Sequence, residues 1–284
     1  MKQMNRIVFE VLSTKAISPE LFAFIIPYMK DKKYGVVQQY RTKREMKIHV
    51  RKVIEHRDDL AVALRDNGVV KGFFTTCCTP EDKYIELLCA FFKDSAYFSL
   101  AINYLKRLYP GFELFHYVFP ANDRAIDCFA SYNASFDPRQ TTMCLDIMKA
   151  KRREIEHMIS LVTPEFVDEY RAIHDENVYW VADKMLVFSD RMKARILLVE
   201  GYVAGYIDFS YDDEICEIYA LHLKGNYFTE QALFDLISVC LDNLTDKCKK
   251  LFCDVSESEK VLTQVLLDSG FKPIHEAILI ILLL

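Results

Sequence analysis

Asn67-Gly68-Val69-Val70-Lys71-Gly72-Phe73-Phe74 and Glu200-Gly201-Tyr202-Val203-Ala204-Gly205-Tyr206-Ile207 repeat one pattern. In both, a strand ends at a residue–glycine pair and a second strand starts at the next glycine. Apolar runs on either side of such a pair predict a β-hairpin, because the turn needs backbone torsions that glycine tolerates. A hairpin occurring twice in one chain points to an internal repeat, whose flanks should match in register as well.

The match extends outward. Residues 85–91 (IELLCAF) and 216–222 (CEIYALH) read as a third strand. Helical spacing follows: Ile102, Leu105 and Leu108 in the first copy, and Ala232, Leu233, Leu236, Ile237, Cys240 and Leu241 in the second. The connection from strand to helix aligns without a gap. A fourth strand (114–119 and 250–255) leads to another helix (123–132 and 259–268), ended by Asn133 and Gly270, which tolerate the left-handed conformation of a helix end. A last strand, 141–147 or 277–284, closes each half. The wholly apolar 277–284 can pair within its own sheet or against the other half, and the sequence leaves both open. The charged stretch 148–156 sets the boundary. The expectation is therefore two domains, 1–148 and 149–284, each an α/β (α+β) fold with a mixed, mostly antiparallel sheet flanked by helices.

Composition narrows the function. Eight glycines stand in 284 residues, where average usage gives roughly 20. There is neither a G-x-G-x-x-G nor a G-x-x-x-x-G-K-[ST], so Rossmann and Walker A phosphate loops are excluded. The charge of −5 gives no global pull toward nucleic acid or an anionic membrane. Nine cysteines without a C-x-x-C read as reduced thiols with no metal site, and a cytoplasmic location is expected. Glu10 interrupts the first apolar run, and the apolar C-terminus is far shorter than the roughly 20 residues of a membrane span.

Val118-Phe119-Pro120-Ala121-Asn122-Asp123-Arg124-Ala125-Ile126-Asp127-Cys128-Phe129 resembles the V-x-x-x-N-x-R-A-I-x-L-Y segment of the GNAT superfamily of acyl-CoA N-acyltransferases. The paired G-x-x-x-G hairpins and the helix end Ser269-Gly270-Phe271 are similar to that family's hairpin and L-G-F segments, in the same order. The resemblance implies acetyl-CoA as cofactor, a small-molecule or peptide amine as acceptor, and direct attack on the thioester. It also implies a loop R/Q-x-x-G-x-G/A after the third strand of the repeat, whose backbone N–H groups hold a pyrophosphate. The gap-free match puts 225–230 on that loop in the second half and 94–99 in the first, and neither keeps the basic or small residues of the pattern. The family's tyrosine acid corresponds to Phe129 and Leu266.

The resemblance further implies a carboxylate base near the third strand, which is Glu86 or Glu217. His222 stands where the family often has proline after that strand, and a histidine there can act in proton transfer. The second half is the candidate catalytic one. Its expected catalytic residues are Glu217 and His222. Its expected cofactor contacts are Ala220, Leu221, His222, Gly225, Asn226, Phe228 and Thr229. His174, Glu176, Tyr179 and Trp180 would form an acidic, aromatic wall suited to a cationic amine. The competing reading is an inactive tandem pseudo-acetyltransferase serving as a binding or regulatory module, since both loops depart from the pattern.

Overall fold

The computed structural model describes residues 7–13, 18–29, 31, 33–34, 42–174 and 180–284. It divides into two units. One comprises residues 1–139 with 276–284, and the other residues 140–275.

The first unit runs β1 (Ile7–Val11), α1 (Pro19–Met29), α2 (Lys43–Glu55), β2 (Leu60–Asp66), β3 (Val69–Thr79), β4 (Tyr84–Phe92), α3 (Ser95–Leu108), β5 (Glu113–Val118), α4 (Asp123–Ala130) and β6 (Ser135–Phe136). The second runs β7 (Gln140–Asp146), β8 (Met158–Leu161), α5 (Val167–Ile173), α6 (Ala182–Val187), β9 (Met192–Val199), β10 (Tyr202–Ser210), β11 (Ile215–Leu223), α7 (Glu230–Asn243), β12 (Lys250–Ser256) and α8 (Lys260–Asp268). β13 (Lys272–Leu283) ends the chain. β1 and β8, the edge strands beside β2 and β9, carry no turn or alternation signal strong enough to mark them in the sequence.

Local chemistry explains the helix starts. Thr42 and Glu45 form a reciprocal capping box on α2, which buries Met46, Val50 and Val53 as one stripe. Asn122, the first residue of the N-x-R-A-I segment, caps α4 by accepting from the Ala125 N–H. Both hairpins turn through two residues of positive φ, Asn67 and Gly68 in one and Glu200 and Gly201 in the other, as a type I′ turn requires.

Each sheet has helices on both faces. In the first unit the strands lie in the order β1-β2-β3-β4-β5-β13, and in the second β7-β12-β11-β10-β9-β8. Within these orders the pairs β4–β5 and β11–β12 are parallel. One core per unit forms against α3 and α4, or α7 and α8. The other forms against α1 and α2, or α5 and α6.

The closing strands correct the sequence reading. β7 does not close the half it follows: Gln140 to Asp146 pair with β12, and Met143 and Leu145 join the core of the second unit. The last strand pairs with β5 through Ile278↔Val118 to Leu283↔Glu113, and Ile280 and Leu282 join the core of the first. Each unit is thus closed by a strand from the other half of the sequence.

The gap-free loop match is also corrected. Only Lys93 separates β4 from the α3 cap Asp94, whereas residues 224–228 separate β11 from the α7 cap Thr229. The second loop is four residues longer, and Gly225–Tyr227 forms a 3-10 turn within it.

Candidate functional site

In each unit two parallel strands start paired and then part. β11 and β12 pair from Ile215↔Lys250 to Ile218↔Cys253, and β11 runs on unpaired with β12 to Leu223. β4 and β5 pair only from Tyr84↔Glu113 to Glu86↔Phe115. A β-bulge lies where the strands separate. The register against the neighbouring strand skips Tyr219 in β11 and Leu88 in β4.

The bulge decides which side chains share a face. Residues 217 and 222 are five apart, so strict alternation would put them on opposite faces. The extra residue shifts the phase. Cys216 and Ile218 enter the α7/α8 core before the bulge, and Leu221 and Leu223 after it. Glu217, Ala220 and His222 therefore all lie on the α5/α6 face. There Ala220 pairs with Asp208 and His222 with Tyr206, and the Glu217 N–H donates to Ser210 Oγ at 2.9 Å.

In the first unit the gap between β4 and β5 is filled by the chain itself. His116 on β5 hydrogen-bonds through Nδ1 to the Leu87 carbonyl oxygen at 2.7 Å, immediately beyond the last strand pair. Farther along, Arg124 donates to the carbonyl oxygens of Phe92 and Lys93, at 3.3 and 2.6 Å, and stacks on Tyr34. Phe98 packs against Phe92, Phe129 and His116. What remains beside Ala90, Phe92, Phe98 and Asn122 has room for about one water molecule. The Asp94 carboxylate accepts from the N–H groups of Ala96 and Tyr97, so the α3 N-terminus already holds an anion. Burial keeps Glu86 above the usual carboxylate range, against the pull of the Tyr84 hydroxyl.

The second unit has neither stitch. Its residues corresponding to His116 and Arg124 are Cys253 and Val261, on β12 and α8. Gly225, Asn226, Tyr227, Phe228 and Thr229 are exposed, and a Cβ added at Gly225 meets nothing within 4 Å. The α7 cap is a neutral hydroxyl: Thr229 Oγ1 takes only the Ala232 N–H. The two loops differ in where the carboxylate stands: Asp94 is fixed on the α3 N–H groups themselves, whereas exposed Glu230 follows the α7 cap and no hydrogen bond shown holds it there. The basic group at the second loop, Lys224 Nζ, donates to the Val203 carbonyl oxygen at 2.7 Å. Leu221 packs into the α7/α8 core rather than standing open.

Of the predicted wall, Glu176 and Tyr179 lie outside the described residues. Trp180 is half-buried against the bulge residue Tyr219, with centroids 5.4 Å apart, and against Phe188. His174 is fully packed: its Nε2 bonds to Asp208 at 2.8 Å, and its ring stacks on Tyr206 at 4.7 Å. The Tyr170 hydroxyl donates to the same carboxylate. Burial pushes Asp208 above the usual range, and the bonds from His174 and Tyr170 pull it back. Tyr206 in turn lies 5.8 Å from the exposed His222 ring. Asp208 and Tyr170 were not among the predicted residues. The available signal was an aspartate inside the otherwise largely apolar strand YVAGYIDFS. The first unit places Thr75 at the equivalent strand position, where it bonds to His49 at 2.9 Å. Among the described residues no group of three or more His, Cys, Asp or Glu is arranged to hold a metal.

No protein-family model matches the sequence, nor does any curated protein. Solved structures do match the fold. A tandem GNAT protein from the clavulanic acid biosynthesis pathway superposes with a TM-score of 0.57 over 97% of this chain and 98% of its own, at 11% identity. A GCN5-related N-acetyltransferase from Sphaerobacter thermophilus gives 0.63 over 97% and 95%, at 10% identity. A GNAT-family acetyltransferase from Colwellia psychrerythraea gives 0.52 over 97% and 99%, also at 10%.

Proposed function

From a chain that folds as a tandem pair of GNAT units, we propose an acetyl-CoA-dependent N-acetyltransferase whose working half is the second unit, the first serving as scaffold. The observation that carries this reading is the contrast between the two strand gaps. His116, Arg124 and Phe98 fill one, and the other has cysteine and valine where the two polar stitches would stand. The face argument supports the same half, since the bulge puts Glu217, Ala220 and His222 on one face of β11, and the bulge residue Tyr219 itself packs on Trp180.

Acetyl-CoA, when bound, supplies an acyl group activated as a thioester. The residues of the second unit do the rest. The N-terminal turn of α7 and the loop 225–229 face the phosphates with backbone donors. The backbone of β11 beyond Ile218, unpaired with β12, orients the cofactor's amide arm. Trp180 and Tyr219 present aromatic faces to a cationic amine. Glu217 takes the proton that the amine loses as the C–N bond forms, and the C–S bond breaks to release a thiolate that solvent protonates; His222, exposed farther along the same face, is a separate site of proton exchange with solvent. The acceptor is a small-molecule or peptide amine.

A specific observation favours the competing reading, a binding module on an inactive scaffold. The loop's cation is committed to a carbonyl, and the positions of the family's tyrosine acid hold Phe129 and Leu266. Calorimetric titration with acetyl-CoA separates the two. Binding at micromolar to low-millimolar ligand, unaffected by Arg124→Ala, supports a site in the second unit; no binding at millimolar ligand sinks the enzyme reading. Glu217→Gln should then lower acetyl transfer to an amine panel by 100-fold or more while changing acetyl-CoA affinity less than about threefold. Unchanged turnover removes Glu217 from the chemistry.

A further inference from the structure

Charge is divided unevenly between the units. Residues 1–139 with 276–284 hold 21 Lys and Arg against 17 Asp and Glu, a net +4, while residues 140–275 hold 15 against 24, a net −9. The −5 of the whole chain conceals this. The positive charge concentrates on α2, whose sequence KREMKIHVRKVIE carries Lys43, Arg44, Lys47, Arg51 and Lys52, all exposed. Among the described residues none of the five forms an ion pair. The contacts shown for Lys43 and Lys47 are cation–π, with both ammonium groups 5.4 to 5.6 Å from the centroid of the one buried ring of Phe22. Lys43, Lys47 and Arg51 recur every fourth residue, so they form a row along one edge of the helix.

We propose that the outer face of α2 docks on an anionic lipid surface. The apolar stripe Met46, Val50 and Val53 is committed to the core, so the helix cannot roll over and insert. It can only adsorb, cations toward the headgroups. Ile48, 45% exposed in the middle of the cations, is the one apolar side chain placed to reach the headgroup–acyl boundary. A single-stranded nucleic acid is the weaker fit, because the exposed residues of this helix include no aromatic ring on which a base would stack.

Co-sedimentation of the full chain with phosphatidylcholine vesicles, with and without about 30% phosphatidylserine, tests this at about 0.05 and 0.5 M salt. Binding should require phosphatidylserine and vanish at high salt. The triple variant Lys43→Gln, Lys47→Gln, Arg51→Gln should lower the partition coefficient roughly 100-fold, about fivefold per cation. Ile48→Ser should lower it a few-fold. Lys149→Gln with Lys151→Gln, which removes two exposed cations elsewhere, should leave it unchanged. Circular dichroism checks that each variant is folded. No phosphatidylserine-dependent binding, or a triple variant that binds like the parent, overturns the proposal. So does an oligonucleotide that binds the parent more tightly than the vesicles and loses affinity in the triple variant.

Discussion

His116 shows what a single buried residue can cost and fix. Its Nδ1 is satisfied by the Leu87 carbonyl oxygen, but its Nε2, enclosed beside Phe98 and Phe129, has no partner among the described residues. Burial lowers its pKa to about 4, so the ring stays neutral in the folded unit, whereas an unfolded chain takes up the proton below about 6.5. Stability attributable to this residue is therefore complete above pH 6.5 and is lost as the pH falls toward 4, by roughly 3 kcal/mol in all. Hydrogen exchange of the β4 and β5 amides measures it. Between pH 6.5 and 5 the parent should lose about 2 kcal/mol more than His116→Leu. An equal loss in both removes His116 as the cause. In the second unit the buried Asp208 is better provided for, accepting from His174 and Tyr170 at once. Neither arrangement was readable from spacing, because His116 and Asp208 sit in strands whose partners come from helices or neighbouring strands far away in sequence. Glu217 and His222 could be named from the sequence because they lie on the third strand of the repeat, which the hairpin match locates.

The element scale is where the two copies can be compared directly. Gly72 and Gly205 begin equivalent stretches, and each lies next to a register shift. A Cβ at Gly72 would come closest to the buried Phe92 ring, a side chain that can shift only against Phe74 and Phe98. A Cβ at Gly205 would meet Leu223 and, at 2.6 Å, the His222 carbonyl oxygen, which belongs to a strand and cannot shift. Gly205→Ala should thus destabilise its unit by about 3 kcal/mol and Gly72→Ala by less, about 2 kcal/mol. Thermal melts followed by Trp180 fluorescence for the second unit, and by amide exchange of β3 for the first, check the order; equal costs would contradict it. The hairpins and the helix ends at Asn133 and Gly270 were legible because each depends on its own few residues. The four extra residues before α7 were not. A gap-free match had no local penalty to register, and only the helix cap at Thr229 locates the true start.

At the scale of the whole molecule the exchanged closing strands have a direct consequence. Residues 276–284 follow the second unit in sequence but complete the sheet of the first, burying Ile280 and Leu282 fully or nearly so. Each such side chain contributes about 1.5–3 kcal/mol, besides the backbone bonds to β5. Truncation after His275 should therefore expose β2 to β5 to rapid hydrogen exchange while β9 to β12 keep their protection. The fragments 1–148 and 149–284, each lacking its proper closing strand, should not fold cooperatively alone. Loss of protection in β9 to β12 on truncation would refute the exchange. The amino-acid sequence by itself determined the repeat, the hairpins, the helix ends at Asn133 and Gly270 and the fold class, since these follow from patterns within about 20 residues. Only the tertiary structure decided which strand closes which sheet, that a bulge puts Glu217 and His222 on one face, and that one strand gap is filled by its own side chains. Those outcomes depend on strand register and on contacts between residues distant in sequence, and an alternating apolar pattern satisfies either pairing equally well.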